Sequence, residues 1–400
     1  MKIIAIAFRY LWSRPLAAAL NLLLLSLGLA SITLVLLIAT QMDQAFERDV
    51  AGIDLVVGAK GSPMQLILAG VFHLDVPPGN IPLAAVRELA KNPQVAKLIP
   101  ISMGDTFRAY RIVGTTHDYP KHYGVALAQG SLWTQPMQAV IGAQVARSTG
   151  LVMGHKFSGS HGLGGTGDAH GDNPYVVGGM LAPCGCVLDR LILTATESVW
   201  QVHEKATAVD AEDQKVMEAE REVTMALLSY KSPLAAVTLP RFINTTTDMQ
   251  AAAPAIEITR LLRMVGVGTD VLRGFGLVLL LTAGLSVFIA LWSAVRERRA
   301  DLAMLRMLGA SPQKIAGLVL CEALLLAMMA TFLGLLGGHL LTGLIGYWLQ
   351  AERSVALTGW IWLPAEWWVP ALGGGVALLA ALLPAVGAYR VNVFELLSSR

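Results

Sequence analysis

Four stretches of this 400-residue chain are almost unbroken apolar sequence: residues 16–40, 271–293, 315–341 and 368–389. Each is about 20 residues or longer, enough for a helix to cross a hydrocarbon core of about 30 Å. Inside lipid every backbone polar group must be satisfied within its own segment, so such runs fold as spanning helices. They account for a composition that is 54% hydrophobic and 14% charged, with a mean hydropathy of +0.57, too apolar for an ordinary soluble domain. The first run follows Lys2, Arg9 and Arg14, as a secretory leader would. It is too long for a leader's apolar stretch and no clear Ala-x-Ala site follows, so it reads as an uncleaved anchor.

Short flanking segments set the expected orientation. Lys2, Arg9 and Arg14 precede the first span, and Arg296, Arg298, Arg299, Arg306 and Lys314 lie between the second and third. Arg390 and Arg400 follow the fourth, whereas the loop between spans three and four holds only Arg353. Basic residues are retained on the cytoplasmic side, so both termini are expected in the cytoplasm. Trp360, Trp362, Trp367 and Trp368 then fall at the opposite interface, where indole rings anchor well.

These spans predict a membrane protein of four transmembrane α-helices with a large external α+β domain inserted between helices 1 and 2. Its expected divisions are a cytoplasmic amphipathic segment 1–15, spans 16–40, 271–293, 315–341 and 368–389, and an external domain 41–270 with stalk helices at both ends. A cytoplasmic coupling loop 294–314, an external loop 342–367 and a cytoplasmic tail 390–400 complete it. The external insertion holds 18 Lys+Arg against 22 Asp+Glu, a mildly acidic balance that excludes a nucleic-acid-binding role. About 230 residues can bury a substantial core. Within it Val56-Val57, Leu66-Ile67-Leu68, Phe107 to Val113, Tyr175 to Leu181 and Val187 to Thr194 read as strands. The last two read as flanks of a hairpin-like connection at Pro183-Cys184-Gly185-Cys186. Leu83 to Lys91 and Glu197 to Leu228 have helical character. Ile258, Leu262, Val265, Thr269 and Leu272 follow heptad-like spacing into the second span, and Ile3, Ile4, Ala7, Phe8, Leu11 and Trp12 form an apolar stripe before the first.

The loop after the second span carries the sharpest local signals. Arg296 to Leu308 is rich in helix formers. Gly309 stands where a left-handed C-terminal cap is wanted, and Ser311-Pro312 supplies an N-cap and an N1 proline for the next helix. Leu302, Met304, Leu305 and Leu308 offer an apolar surface, rimmed by arginines, suited to a protein groove.

Arg296-Glu-Arg-Arg-Ala-Asp-Leu-Ala-Met-Leu-Arg-Met-Leu-Gly-Ala-Ser-Pro312 resembles the corresponding loop of the MacB/FtsX-like ABC permeases, the type VII or mechanotransmission class. Glu322 in Cys-Glu-Ala-Leu matches the family's Glu-Ala-Leu position. The ending from Pro384-Ala through Tyr389-Arg-Val-Asn-Val-Phe-Glu-Leu-Leu is similar to the family's tail. The resemblance implies a non-catalytic permease subunit working as a dimer, with ATP and Mg bound by a cytoplasmic ABC ATPase. It assigns ATPase coupling to Arg296, Glu297, Arg298, Arg299, Leu302, Leu305, Arg306, Leu308 and Gly309. No Gly-x-x-x-x-Gly-Lys-[Ser/Thr] occurs, so the ATPase is expected on another chain, as in the split lipoprotein-releasing systems and unlike MacB itself. Glu322 and His339 are costly in lipid and are expected to face the bundle or a dimer interface.

A second candidate site lies in the external domain. His155, His161 and His170 sit with Asp168 and Asp172 in a Gly-rich stretch, followed by Cys184 and Cys186. Imidazole, carboxylate and thiolate are ligands for zinc or copper, although the spacing matches no standard zinc motif. The remaining external histidines, His73, His117, His122 and His203, are scattered and read as structural, and no Gly-x-Ser-x-Gly elbow marks a hydrolase. The expected function is ATP-driven motion of the external domain for export, extraction or release of an external substrate, with a periplasmic or outer-membrane partner. The alternatives are an FtsX-like scaffold that activates an external enzyme, or a metal-handling or sensing membrane protein.

Overall fold

The computed structural model describes residues 3–160, 173–207, 220–351 and 357–391. Within them the helices are α1 (Ile3–Trp12), α2 (Pro15–Val50), α3 (Pro63–Gly70), α4 (Leu83–Ala90), α5 (Asp118–His122) and α6 (Ala143–Thr149). They continue with α7 (Thr196–Thr207), α8 (Ala235–Thr246), α9 (Pro254–Glu297), α10 (Arg299–Met307), α11 (Pro312–Ala351) and α12 (Trp368–Tyr389). The strands are β1 (Leu55–Ala59), β2 (Ile81–Pro82), β3 (Val95–Phe107), β4 (Tyr110–Thr115), β5 (Leu127–Gly130) and β6 (Gln138–Ile141). After them come β7 (Lys156–Phe157), β8 (Tyr175–Leu181), β9 (Ile192–Ala195), β10 (Glu222–Val223), β11 (Met225–Tyr230) and β12 (Met249–Ala252). Two compact units result, Met1–Met42 with Met264–Arg400, and Asp43–Arg263.

The first unit is a helical bundle. Pro15–Val50, Asp270–Glu297, Pro312–Leu349 and Pro364–Tyr389 are long and apolar enough to cross a membrane. Leu25 and Leu29 of α2 pack with Ala283 and Val287 of α9, Ala323, Ala327 and Ala330 of α11, and Ala377 and Ala381 of α12. Small residues dominate these contacts because lipid supplies no hydrophobic drive between helices, so close backbone approach must. Gly338 is one such contact: a Cβ there would lie 2.5 Å from Thr33 Cβ. Phe332, Leu340 and Leu379 point outward, as lipid-facing side chains do.

Residues 357–367, ahead of α12, are tied down by hydrogen bonds. Gln41 donates from Nε2 to Thr358 O at 2.9 Å and accepts from Thr358 N at 2.9 Å. His339 meets Gly359 O through Nδ1 at 2.7 Å and Glu366 Oε2 through Nε2 at 2.9 Å, while Glu366 Oε1 accepts from Leu363 N. His339 is thereby satisfied by protein partners inside the bundle. Trp360, Trp362, Trp367 and Trp368 stay exposed around this network.

The second unit is built on a ten-stranded mixed sheet in the order β12-β1-β11-β3-β4-β9-β6-β8-β5, with β7 on β8. Neighbours are antiparallel except β4 with β9 and β6 with β8. Tyr119, Val56, Leu66, Ile67, Ile101 and Leu193 fill one core, and Leu55, Val57, Leu228, Leu239 and Ile243 another. Five local expectations are corrected. Val187–Arg190, expected in a strand, forms a 3-10 turn ahead of β9. Leu66-Ile67-Leu68 lies in helix α3, because Ser62 Oγ caps Gln65 N and Pro63 opens the first turn. Phe107 to Val113 is broken by a turn at Arg108 and Ala109, both at positive φ (47° and 63°), which pairs β3 with β4. Leu227 and Leu228, expected in a helix, belong to strand β11 at the centre of the sheet. Finally, β8 and β9 are not a hairpin, since β6 lies between them.

Candidate coupling site

Helix α10 is short and sharply bounded. Its C-terminus closes as a Schellman motif: Gly309 N donates to Arg306 O at 3.0 Å and Ala310 N to Leu305 O at 3.0 Å. Gly309 sits at φ +90°, a conformation L side chains rarely adopt. Ser311 then caps α11 through Lys314 N at 3.4 Å, with Pro312 in its first turn. The chain therefore passes from α10 into α11 over the four residues 308–311, held by both caps, which fixes how α10 presents its faces.

Those faces differ. Leu302 and Ala303 are buried against the bundle, at 3% and 4% exposure. Met304, Met307 and Leu308 are 54%, 59% and 79% exposed. Leu302 is thus an anchor of the helix and not part of its outward surface, and Met307 belongs to that surface although the sequence reading passed over it. Leu305 and Leu308 line a groove with Ile3 and Ile6 of α1 and Ile315 and Leu318 of α11. The apolar stripe of α1 is likewise divided, with Ala7 and Leu11 buried and Ile4, Phe8 and Trp12 exposed.

Arg298, at the junction of α9 and α10, is the polar hub. It donates to Tyr10 O at 3.1 Å and to Ser13 Oγ, and lies 4.3 Å from the Tyr10 ring centroid. Its Nη1 is 3.8 Å from Glu322 Oε1 on α11. Both side chains are largely buried, 13% and 12% exposed, where an arginine keeps its charge and its five donors need acceptors. One guanidinium thus joins α1, the start of α10 and α11. Arg14 pairs with Glu297, Arg306 donates to Val391 O, and Arg296 stacks 5.5 Å from the Trp292 ring. Arg296 and Glu297 close α9 and do not belong to α10. Tyr10, Arg14, Asn21, Arg298 and Glu322 border a cavity of about 40 Å³, room for water and too small for a transported solute.

The second candidate set is only partly brought together. His161 and His170 lie outside the described residues, as do Asp168 and Asp172. His155 is at the entry to β7, its backbone carbonyl accepting from Val177 N. Cys184 and Cys186 form a disulfide with each other. Bonded sulfurs offer no thiolate, so in this state the two cysteines are not the ligands that their spacing suggested. Among the described residues no group of three or more His, Cys, Asp or Glu is placed to hold an ion. Asp189, which the metal reading passed over, accepts from Cys184 N at 3.0 Å and Gly185 N at 2.8 Å. Asp49 at the end of α2 accepts from Val187 N at 2.7 Å and pairs with Arg190 at 3.6 Å, and its backbone carbonyl accepts from Tyr123 OH.

Four apolar helices, an α+β domain between the first and second, and a capped basic helix between the second and third define a multi-pass permease of the ABC class. Residues 18–225 match the MacB-like periplasmic core domain, and residues 273–393 match the FtsX-like permease C-terminal domain. The chain belongs to this MacB/FtsX-like permease family of the bacterial inner membrane. It is 23% identical over 387 residues to the pyoverdine export ATP-binding/permease protein PvdT of Pseudomonas fluorescens (strain Pf0-1), covering 88% of this chain and 53% of that protein. The chain therefore spans about half the length of this curated relative. Among solved structures, the periplasmic region of MacB from Actinobacillus actinomycetemcomitans matches 54% of this chain and 95% of its own, with 13% identity and a TM-score of 0.36. The extracellular domain of the noncanonic ABC-type transporter YknZ from Gram-positive bacteria matches 50% and 98%, with 12% identity and a TM-score of 0.31.

Proposed function

We propose that this chain is the permease part of an ABC machine in which a cytoplasmic ATPase docks on the outward face of α10. ATP and magnesium are bound by that ATPase, and two copies of the permease form the working assembly. Met304, Met307 and Leu308 enter a groove of the ATPase, with Arg299 and Arg306 at its rim. The observation that carries this reading is the exposed apolar face of α10, on a helix whose opposite face and both ends are fixed to the bundle. A displaced α10 must pull on α1 and α11 through Arg298, because the guanidinium cannot leave one acceptor set without stranding a buried charge. Helices α2 and α9 each continue from a spanning segment into residues of the periplasmic unit, and so can carry motion outward. The work done outside is export, extraction or release of a substrate. The name of PvdT speaks of pyoverdine export, which favours transport outward.

The test is purification of the full-length chain with its associated ATPase in nanodiscs. Met304→Glu and Leu308→Glu should leave the protein folded and dimeric while the ATPase is lost or no longer stimulated. A full complement of stimulated ATPase on both variants would overturn the docking surface. Purification with no ATPase at all would overturn the function.

A further inference from the structure

We propose that Cys184–Cys186 is a site of reversible thiol–disulfide exchange with a dithiol protein of the periplasm, a role independent of the coupling reading above. The pair lies in the periplasmic unit, in a compartment where disulfides form and persist. Its sequence separation is two, so the bond closes a loop of only three residues. A cross-link constrains the unfolded chain in proportion to the logarithm of loop length, and this one removes little. The turn also has another source of order. The Asp189 carboxylate holds the backbone N–H groups of Cys184 and Gly185, and Gly185 takes φ +63° without a Cβ to oppose it. The conformation therefore does not depend on the sulfur–sulfur bond, and a structural cross-link is poorly motivated here.

The surroundings favour exchange. Both cysteines are half-buried, packed against the core with part of each residue open to solvent. Cys184 Sγ lies 3.5 Å from Asp189 Oδ1, whose full negative charge opposes a thiolate on Cys184 more than the neutral Cys186 N–H, 3.1 Å from the same sulfur, favours one, so Cys184 is the poorer leaving group. The Arg48 guanidinium rests against the turn at Gly185, where an added Cβ would lie 2.7 Å from Arg48 Nη1. A nearby cation stabilises a thiolate. The thiolate of the reducing dithiol accordingly attacks Cys184 Sγ, the Cys184–Cys186 bond breaks, and Cys186 leaves as the thiolate. The donor's second thiolate then attacks the donor sulfur of the mixed disulfide and releases Cys184, which takes up a proton and donates S–H to Asp189. Two electrons pass to this chain, the donor is left with a disulfide, and a second proton joins Cys186. The reverse sequence reoxidises the pair.

The experiment uses the full chain in nanodiscs with Cys321→Ser as background, reduced thioredoxin as the probe dithiol, and maleimide trapping read by mass spectrometry. At equal reduced and oxidised thioredoxin, at least half of the pair should be reduced. The unfolding temperature of the reduced protein should stay within about 2 °C of the oxidised one. Arg48→Gln should slow reduction several-fold. Persistence of the bond at about a hundredfold excess of reduced over oxidised thioredoxin would overturn the proposal. So would a marked loss of stability on reduction, which would make the bond structural. The reduced wild type supplies the stability measurement even if Cys184→Ser/Cys186→Ser does not fold.

Discussion

Replacing Arg298 by methionine would strand the Glu322 carboxylate, whose charged partner at 3.8 Å is that guanidinium. Replacing Glu322 by glutamine instead leaves Arg298 with Tyr10 O, Ser13 Oγ and the Tyr10 ring. An unpaired buried charge costs several kcal/mol, so Arg298→Met should lower stability by roughly 3 kcal/mol and Glu322→Gln by clearly less. Thermal unfolding in detergent measures both, and equal losses would remove Arg298 as the hub. A second residue sets a pH dependence. His73 is fully enclosed, with Nε2 3.0 Å from Tyr119 OH and Arg111 donating to its backbone carbonyl. Burial, with the Arg111 charge second, pushes its pKa from 6.5 down to about 3. Between these values the unfolded chain binds a proton that the folded one does not, so stability falls as pH drops through this window. The slope reaches about 1.4 kcal/mol per pH unit. Acid unfolding of the intact protein should shift to lower pH in His73→Asn, which removes the titrating ring and tolerates the positive φ of 55°.

At the scale of the element, α10 shows why some local structure is readable from sequence. Gly309 acts through its own backbone and Ser311 through its hydroxyl on the nearby Lys314 N, without distant partners, and the expected caps are both present. Nothing lies within 4 Å of a Cβ built on Gly309, so Gly309→Ala is opposed by backbone conformation alone. It should cost about 1–2 kcal/mol, with Gly309→Asn milder, as unfolding temperatures would record. ATPase stimulation should fall in parallel, because this cap aims α10. Elsewhere local signals misled. The turn between β3 and β4 uses Arg108-Ala109 at positive φ where Asn-Gly would have announced a hairpin. The apolar run Leu66-Ile67-Leu68 fits strand or helix equally, and the cap at Ser62 decides it. Leu227 and Leu228 continue a charged, helix-like stretch, yet both are buried between β1 and β3.

For the whole molecule, the segregation of basic residues predicts an orientation. A reporter fused after Arg400 should be active only in the cytoplasm, and one inserted at Gly124, an exposed turn of the α+β unit, only outside. The reverse result would place α10 beyond the reach of any cytoplasmic ATPase. Helices α2, α9 and α12 carry exposed apolar side chains, Leu20, Leu281 and Leu383 among them. Cysteine cross-linking along them in native membranes tests the dimer, and its absence at every position would leave the chain monomeric.

Sequence by itself determined the membrane class, the spans, the place of the inserted domain and the caps around α10. All of these rest on hydrophobic length or on backbone preferences that act within a few residues. Tertiary structure alone decided which side chains of α10 face outward, which partners Arg298 holds, and that β6 separates β8 from β9. It also brought Cys184 and Cys186 into one bond over the Asp189 carboxylate. Each of these depends on which distant segments meet, a matter of packing between elements that no local pattern encodes.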